Sequence, residues 1–228
     1  MKAIVTGGNR GIGFEITKQL LDREFEVHVL SRSGIDHPSK KVISWTVDAA
    51  NYDQTCKVVE KIGVPNVLIN NAGMMNTKTA TDYGTDEIFH ILNVNLITAV
   101  RLSVHLAEQM VNNGGGRIVS IGSIAGEIGH PDIWYGISKA GIANAMRSLA
   151  RSFGQQGVVA NTVAPGPVET DMMKSIPQAR KDRLKAATIN QRFCSAKEVS
   201  EVVCWLATDA PAYINGEVID MNNGTNYR

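Results

Sequence analysis

Short β-branched runs alternate with longer stretches of helical period along the chain, a pattern that argues for crossover units feeding a parallel sheet. Seven strands are predicted, over residues 2–6, 26–30, 42–47, 66–70, 117–121, 158–163 and 217–221. Helices are predicted over residues 11–21, 52–62, 85–112, 132–153 and 196–207. In the first of these, Ile12, Phe14, Ile16, Leu20 and Leu21 make a broad apolar face, and the segment stops before Glu24 and Phe25 lead into the second strand. Buried parallel strands need helices on both faces. The expected fold is therefore doubly wound α/β, a parallel seven-stranded sheet between two helical layers.

No linker, repeat or low-complexity tract divides the chain, and Asn112-Asn113-Gly114-Gly115-Gly116 reads as a plain helix stop. One domain over residues 1–228 is expected. Residues 166–192 are the exception, because their apolar positions lack sheet period and their charges cluster. A long connection after a strand C-terminus is a common place for a lid, so a substrate lid is expected there.

Composition narrows the partners. The 23 Lys+Arg balance 22 Asp+Glu to a net charge of +1, which argues against nucleic-acid or membrane-surface binding through bulk charge. Three cysteines without a Cys-x-x-Cys pair suggest no disulfide frame, and a cytoplasmic location is expected. The opening MKAIVTGG has too short an apolar run for a signal peptide, and no 18 apolar residues run together, so no membrane span is expected. No metal site is expected.

Gly7, Gly8, Gly11 and Gly13 fall between the first strand and the first helix. Glycines there allow a tight turn and close backbone approach, leaving the helix N-terminus to face a pyrophosphate. The Gly-x-x-x-Gly-x-Gly spacing differs from the Gly-x-Gly-x-x-Gly fingerprint, and such turns also serve plain packing. Tyr135 and Lys139, four apart in a predicted helix, share one face. An ammonium beside the phenol lowers its pKa from about 10 and makes it an acid–base group near neutrality. Such pairs also occur on ordinary surface helices. Ser123 gives this one a partner: strand five delivers it to a C-terminal end twelve residues before Tyr135, where its hydroxyl can hold a substrate carbonyl oxygen. Ser120 lies within the strand, and no His sits at a triad-like position.

TGGNRGIG at residues 6–13, Asn70-Asn71-Ala72-Gly73, Tyr135-x-x-x-Lys139 and Pro165-Gly166, in this order, resemble the compact single-domain branch of the short-chain dehydrogenases/reductases. The resemblance spans nearly the whole chain. APGPVETDM at 164–172 and YINGEVIDMNNG at 213–224 are most similar to bacterial 3-oxoacyl-[acyl-carrier-protein] reductases. It implies a Rossmann-like fold and a catalytic set of Asn95, Ser123, Tyr135 and Lys139. Asn95, chosen over Asn93 by its Val-Asn-Leu setting, would perturb its helix and hold a water that relays protons from Lys139. Lys139 would also hold the nicotinamide ribose.

The cofactor site implied by resemblance takes in Gly7, Asn9, Arg10, Gly11, Ile12 and Gly13 of the loop, and Asp48 at the adenine amino group. Asn71, Ala72 and Gly73 would line the adenosine ribose, with Pro165, Gly166, Val168 near the carboxamide and Thr170 near the phosphates. Asp48 also suits a helix cap. Charge selects among dinucleotides: strand two ends Val29-Leu30-Ser31-Arg32-Ser33 without the acid that binds a ribose 2′-OH. Arg32 can fork a 2′-phosphate with Arg10 adding a second cation, so NADP(H) is expected, although both also suit a solvated surface.

The expected activity is NADPH-dependent reduction of a ketone, by preference 3-oxoacyl on acyl carrier protein. The alternatives are oxidation or reduction of another small alcohol/ketone pair, and a catalytically silent NADP-binding regulator. Lys174, Arg180, Lys181, Arg183 and Lys185 with the single acid Asp182 make a basic lid that suits an acidic carrier, or simply water. The resemblance further implies a homotetramer or homodimer. Asn222-Asn223-Gly224 departs from the family's usual Gly-Gly step.

Overall fold

The computed structural model describes residues 1–76 and 78–227. Its elements run β1 (Lys2–Thr6), α1 (Gly11–Asp22), β2 (Glu26–Ser31), β3 (Val42–Thr46), α2 (Tyr52–Ile62), β4 (Val67–Asn70), α3 (Thr85–Leu92), a π-turn (Asn93–Ile97) and α4 (Thr98–Val111). After these come β5 (Gly116–Ile121), α5 (Ala125–Ile128), α6 (Ile133–Phe153), β6 (Val158–Pro165), β7 (Val168–Glu169), α7 (Gln178–Ala186), β8 (Cys194–Ser195), α8 (Ala196–Thr208) and β9 (Val218–Met221). The seven predicted strands form one parallel sheet in the order β3-β2-β1-β4-β5-β6-β9. The Rossmann-like, doubly wound reading holds.

The period of two along each strand builds two separate cores. Ala3 and Val5 of β1 join Val27, Val29, Val67, Ile69 and Val119 in a layer closed by Ile16 and Leu20 of α1 and Val199 and Val203 of α8. Ile4 points the other way, with Leu68 and Ile118, onto Leu102, Leu106 and Met110 of α4 and Ile142 and Met146 of α6. All these side chains are buried. Burying one aliphatic side chain stabilises the fold by about 1.5–3 kcal/mol, so both layers are needed to hold the sheet flat between them.

Three features go beyond the pattern-based reading. The helix expected over residues 85–112 is interrupted by the π-turn, centred on Asn95. The helix over residues 85–111 is, by length and composition only, apolar enough to cross a membrane, although no 18 apolar residues run together in it. The buried Leu102, Leu106, Ala107 and Met110 explain it, since a core-facing helix carries the same apolar load. Residues 166–192 leave the main sheet, form α7, and return so that β7 and β8 pair, Val168 with Cys194 and Glu169 with Ser195. α7 buries none of its own residues.

Strand order reverses between β1 and β4. In such sheets the crevice beyond the strand C-termini at this switch point is where ligands bind. Thr6, Ser31, Asn70 and Ile121 all end there.

Candidate active site

The loop after β1 is stapled to the end of β4. Thr6 Oγ1 accepts from the backbone N–H groups of Asn71 and Ala72, both at 3.0 Å, and Asn71 Nδ2 donates to the carbonyls of Thr6 and Gly7, both at 3.0 Å. Gly7 takes φ +65°, which glycine alone adopts at no steric cost. A Cβ on Gly13 would stand 2.2 Å from the Gly7 carbonyl oxygen, so only glycine lets α1 close on the loop. α1 then begins at Gly11 with no side-chain cap on its first turn and no acidic residue in it. Its first N–H groups are left for an anion, and a pyrophosphate fits that cradle. Ile12 packs against the core below.

The remaining expected cofactor residues gather around this crevice. Asn9 Nδ2 donates to Ser33 Oγ at 2.8 Å, tying the loop to the segment after β2. Arg10 and Arg32 are both exposed, and neither forms a salt bridge among the described residues. Thr170 lies beside Gly11, where a Cβ would come 3.6 Å from its methyl, so the segment after β6 closes on the loop. Pro165 ends β6, Gly166 N–H donates to the Met221 carbonyl at 3.0 Å, and Val168 packs on the core. Asp48 does not cap α2: Asn51 does, accepting from Gln54 N–H at 3.0 Å, while Asp48 Oδ1 accepts from Ala50 N–H at 2.9 Å. One Asn fewer residues from the helix start is the better-placed cap.

Across the switch point, Ser123 follows β5, and Tyr135 and Lys139 stand on α6. Ser123 hydrogen-bonds the Tyr135 phenol. Lys139 Nζ lies 5.7 Å from the Tyr135 ring centre and donates to the Ile121 carbonyl at 2.8 Å. Asn95 is buried and clamps its neighbours: Oδ1 accepts from Met74 N–H at 2.8 Å, and Nδ2 donates to the Met74 carbonyl at 2.8 Å and to Ser138 Oγ at 3.1 Å. Gly73 sits where these groups converge, its Cβ position 3.6 Å from Lys139 Nζ and 3.7 Å from Asn95 Oδ1. The helix perturbation expected at Asn95 is present. Both Nδ2 protons are used, while Oδ1, which accepts from Met74 N–H, keeps a second lone pair.

The electrostatics also differ from expectation. Burial raises the Tyr135 pKa above its ordinary value, the Asp132 carboxylate raises it further, and only the hydrogen bond from Ser123 lowers it. Lys139 does not offset the rise, because burial makes it shed its own proton near pH 8, below the range in which the phenol ionises. Lys139, 6% exposed, is itself pushed down to about 8 by burial. Below that pH the folded chain carries a desolvated ammonium that the unfolded chain, with its usual pKa near 10.4, does not. The penalty fades as the folded state sheds the proton first. Relative to Lys139→Met, the wild type should gain about 2–3 kcal/mol of stability between roughly pH 7 and pH 10.5, read from denaturant midpoints. A pH-independent difference between the two proteins would contradict the buried ammonium.

Three residues escaped the sequence reading. Asp132 is buried, caps α6 by accepting from Tyr135 N–H at 3.1 Å, and takes Asn76 N–H at 2.9 Å. An Asp just before a helix carries a cap signal that would have found it. Ser138 donates to the Tyr135 carbonyl at 2.7 Å and links it to Asn95. His130 lies edge-on to Tyr135, ring centres 5.2 Å apart, a contact with no local signal. Outside this crevice, Cys56, Glu60 and His105 bring ligand-type atoms within 4.8 Å of one another.

The family model described as enoyl-(acyl carrier protein) reductase matches residues 7–226. The chain belongs to the short-chain dehydrogenase/reductase family, and it is an oxidoreductase. The 3-oxoacyl-[acyl-carrier-protein] reductase FabG of Pseudomonas aeruginosa is 31% identical, over 97% of this chain and 96% of the relative. A structure of 4-hydroxyisoleucine dehydrogenase complexed with NADH superposes at TM-score 0.91, covering 98% of each chain at 21% identity, and so bears on the fold. A protein described as an NAD(P)-dependent gluconate 5-dehydrogenase from Beutenbergia cavernae, with bound NADP at low occupancy, superposes at TM-score 0.90 and 25% identity, covering 98% of this chain and 96% of the other. In this short-chain dehydrogenase/reductase, then, the loop after β1 and the Ser123–Tyr135–Lys139 group face one crevice from opposite sides of the switch point.

Proposed function

We propose that residues 1–228 form one domain that reduces a ketone to a secondary alcohol with NADPH, its preferred substrate a 3-oxoacyl group on acyl carrier protein. The observation that carries this reading is Ser123 within hydrogen-bonding reach of the half-buried Tyr135 side chain, with the buried Lys139 beside the same ring. A raised phenol pKa keeps Tyr135 protonated at neutral pH, as a proton donor must be. Ser123 holds and polarises the carbonyl oxygen while Tyr135 protonates it. Lys139 is placed to hold the nicotinamide ribose, and Asn95 keeps Met74 against α6. When bound, the dinucleotide supplies the hydride.

The identity of the P. aeruginosa relative supports the carrier-bound substrate. NADPH is favoured over NADH by the two unpaired arginines, Arg10 and Arg32, and by the lack of an acid after β2. Arg32→Asp should weaken NADPH by about 100-fold, roughly 3 kcal/mol, and NADH by only a few-fold, in fluorescence titrations. Equal losses would defeat the phosphate fork. The exposed Phe89, Ile97 and Val104 of the α3–α4 helix and Ile133 and Ile137 of α6 suit burial in a homodimer or homotetramer. Free Cys56, Cys194 and Cys204 suit a reducing cytoplasm.

NADPH oxidation with an acetoacetyl thioester, on acyl carrier protein and on a small thiol, against unrelated ketones, tests the reading. Preference for the carrier-bound form supports it. Turnover of another ketone alone keeps the reductase and moves the substrate, and cofactor binding without any turnover favours a regulator.

A further inference from the structure

Of the lid cations, Lys174 pairs with Asp171, Lys185 lies 5.0 Å from the Phe193 ring centre, and Arg183 is exposed. Arg180 is tied by its side chain to the body of the protein. Its Nη2 donates to His130 Nε2 at 3.2 Å, and the His130 ring is the one set edge-on to Tyr135. Arg180 is half-buried, and its hydrogen-bond partner is a ring nitrogen, not an acid. An arginine can only donate, so Nε2 accepts and the proton of the neutral ring sits on Nδ1, 3.4 Å from the Asp132 carbonyl oxygen. Burial, which lowers the His130 pKa, favours that neutral form. Among the described residues Arg180 forms no salt bridge, and the Asp132 carboxylate accepts from the N–H groups of Tyr135 and Asn76.

A guanidinium taken partly out of water with no counter-ion is costly, and its planar fork matches carboxylate and phosphate oxygens. The position is selective as well as charged. One imidazole ring separates Arg180 from the Tyr135 side chain, so an anion there belongs to a molecule that also reaches the proton donor.

Resting on the carbonyl-reductase reading, we propose that Arg180 is a specificity-determining residue that binds an anionic oxygen group carried by the ketone substrate. The group is either the carboxylate of an oxo acid or the phosphate of a pantetheine arm. Its counter-charge comes with the substrate, and closing α7 over the crevice and recognising the substrate become one event.

The test compares the wild-type protein with Arg180→Gln on three ketones with NADPH: acetoacetyl-N-acetylcysteamine, which is neutral, acetoacetyl-4′-phosphopantetheine, and a series of 3-, 4- and 5-oxo acids. Arg180→Gln should raise KM at least about 10-fold for one anionic class with little change in kcat, and leave kcat/KM for the neutral thioester within about two-fold. The class that suffers tells phosphate from carboxylate. Equal losses on the neutral and anionic ketones, or no loss on any, overturn the proposal. If the wild type reduces none of the three, the reductase reading fails on its own. The anion site is then decided by thermal shift of the NADPH-loaded protein titrated with succinate or inorganic phosphate: a shift in the wild type that Arg180→Gln abolishes supports it, and equal shifts overturn it.

Discussion

Tyr135→Phe is expected to lower the rate of ketone reduction by about 10²–10⁴-fold, the range that a positioned general acid contributes. The substitution removes one oxygen and keeps the ring, so the edge contact with His130 and the cap of α6 by Asp132 survive. NADPH affinity should therefore stay within about three-fold, under 1 kcal/mol, in a fluorescence titration, and the melting temperature should change little. The burial that raises the Tyr135 pKa gives the result a second reading. A phenol protonated well past neutrality predicts that the reduction rate falls only on the alkaline side, as Tyr135 and Lys139 lose their protons. Retained turnover in the Phe variant would remove Tyr135 from the proton-donor role and shift attention to Ser123.

The second large effect is on the fold. Asn95→Ala deletes three hydrogen bonds at once and strands the N–H and carbonyl of Met74 beside a new cavity, while Ser138 keeps its bond to the Tyr135 carbonyl. Buried polar groups left unpaired cost about 1–3 kcal/mol each, so a total of about 3–5 kcal/mol is expected from urea unfolding. Asn95→Asp separates clamp from packing: it still accepts from Met74 N–H but cannot donate to the Met74 carbonyl or Ser138. A loss under about 1 kcal/mol for Asn95→Ala would mean that the π-turn is held by helix packing alone. Activity should fall with stability, because Met74 follows directly on the Asn71–Gly73 segment stapled to the β1 loop.

The seven strands were legible because β-branched runs such as Ala3-Ile4-Val5 are too short and too apolar to read otherwise, and both faces of the sheet are covered. Spacing and order singled out the candidate positions, and the fold brings Tyr135 and Lys139 together beside Gly73 and Asn95. What stayed hidden has particular causes. A π-turn adds one residue to a helical turn, and the apolar period from Leu92 to Leu102 absorbs it. β7 and β8 are two residues each, below any length at which alternation can register. α7 is polar on every side, so residues 178–186 carry no face to detect. The direction of the Tyr135 shift was hidden because helix spacing places Lys139 near the ring but does not report the burial that raises the phenol and discharges the lysine first. Arg180 and His130 meet across 50 residues of chain, which no local pattern reports.

The pairing of β7 with β8 has an evolutionary reading. Residues 170–193 leave and return through two strands hydrogen-bonded to each other, so the excursion is pinched at its feet. Lengthening such a loop is inexpensive, about 0.6 kcal/mol per doubling, and the pinch keeps the change from reaching Gly166 or the end of β6. The segment that carries Arg180 is thus an interchangeable cassette: substrate range can drift by swapping it while the dinucleotide crevice and the proton donor stay as they are.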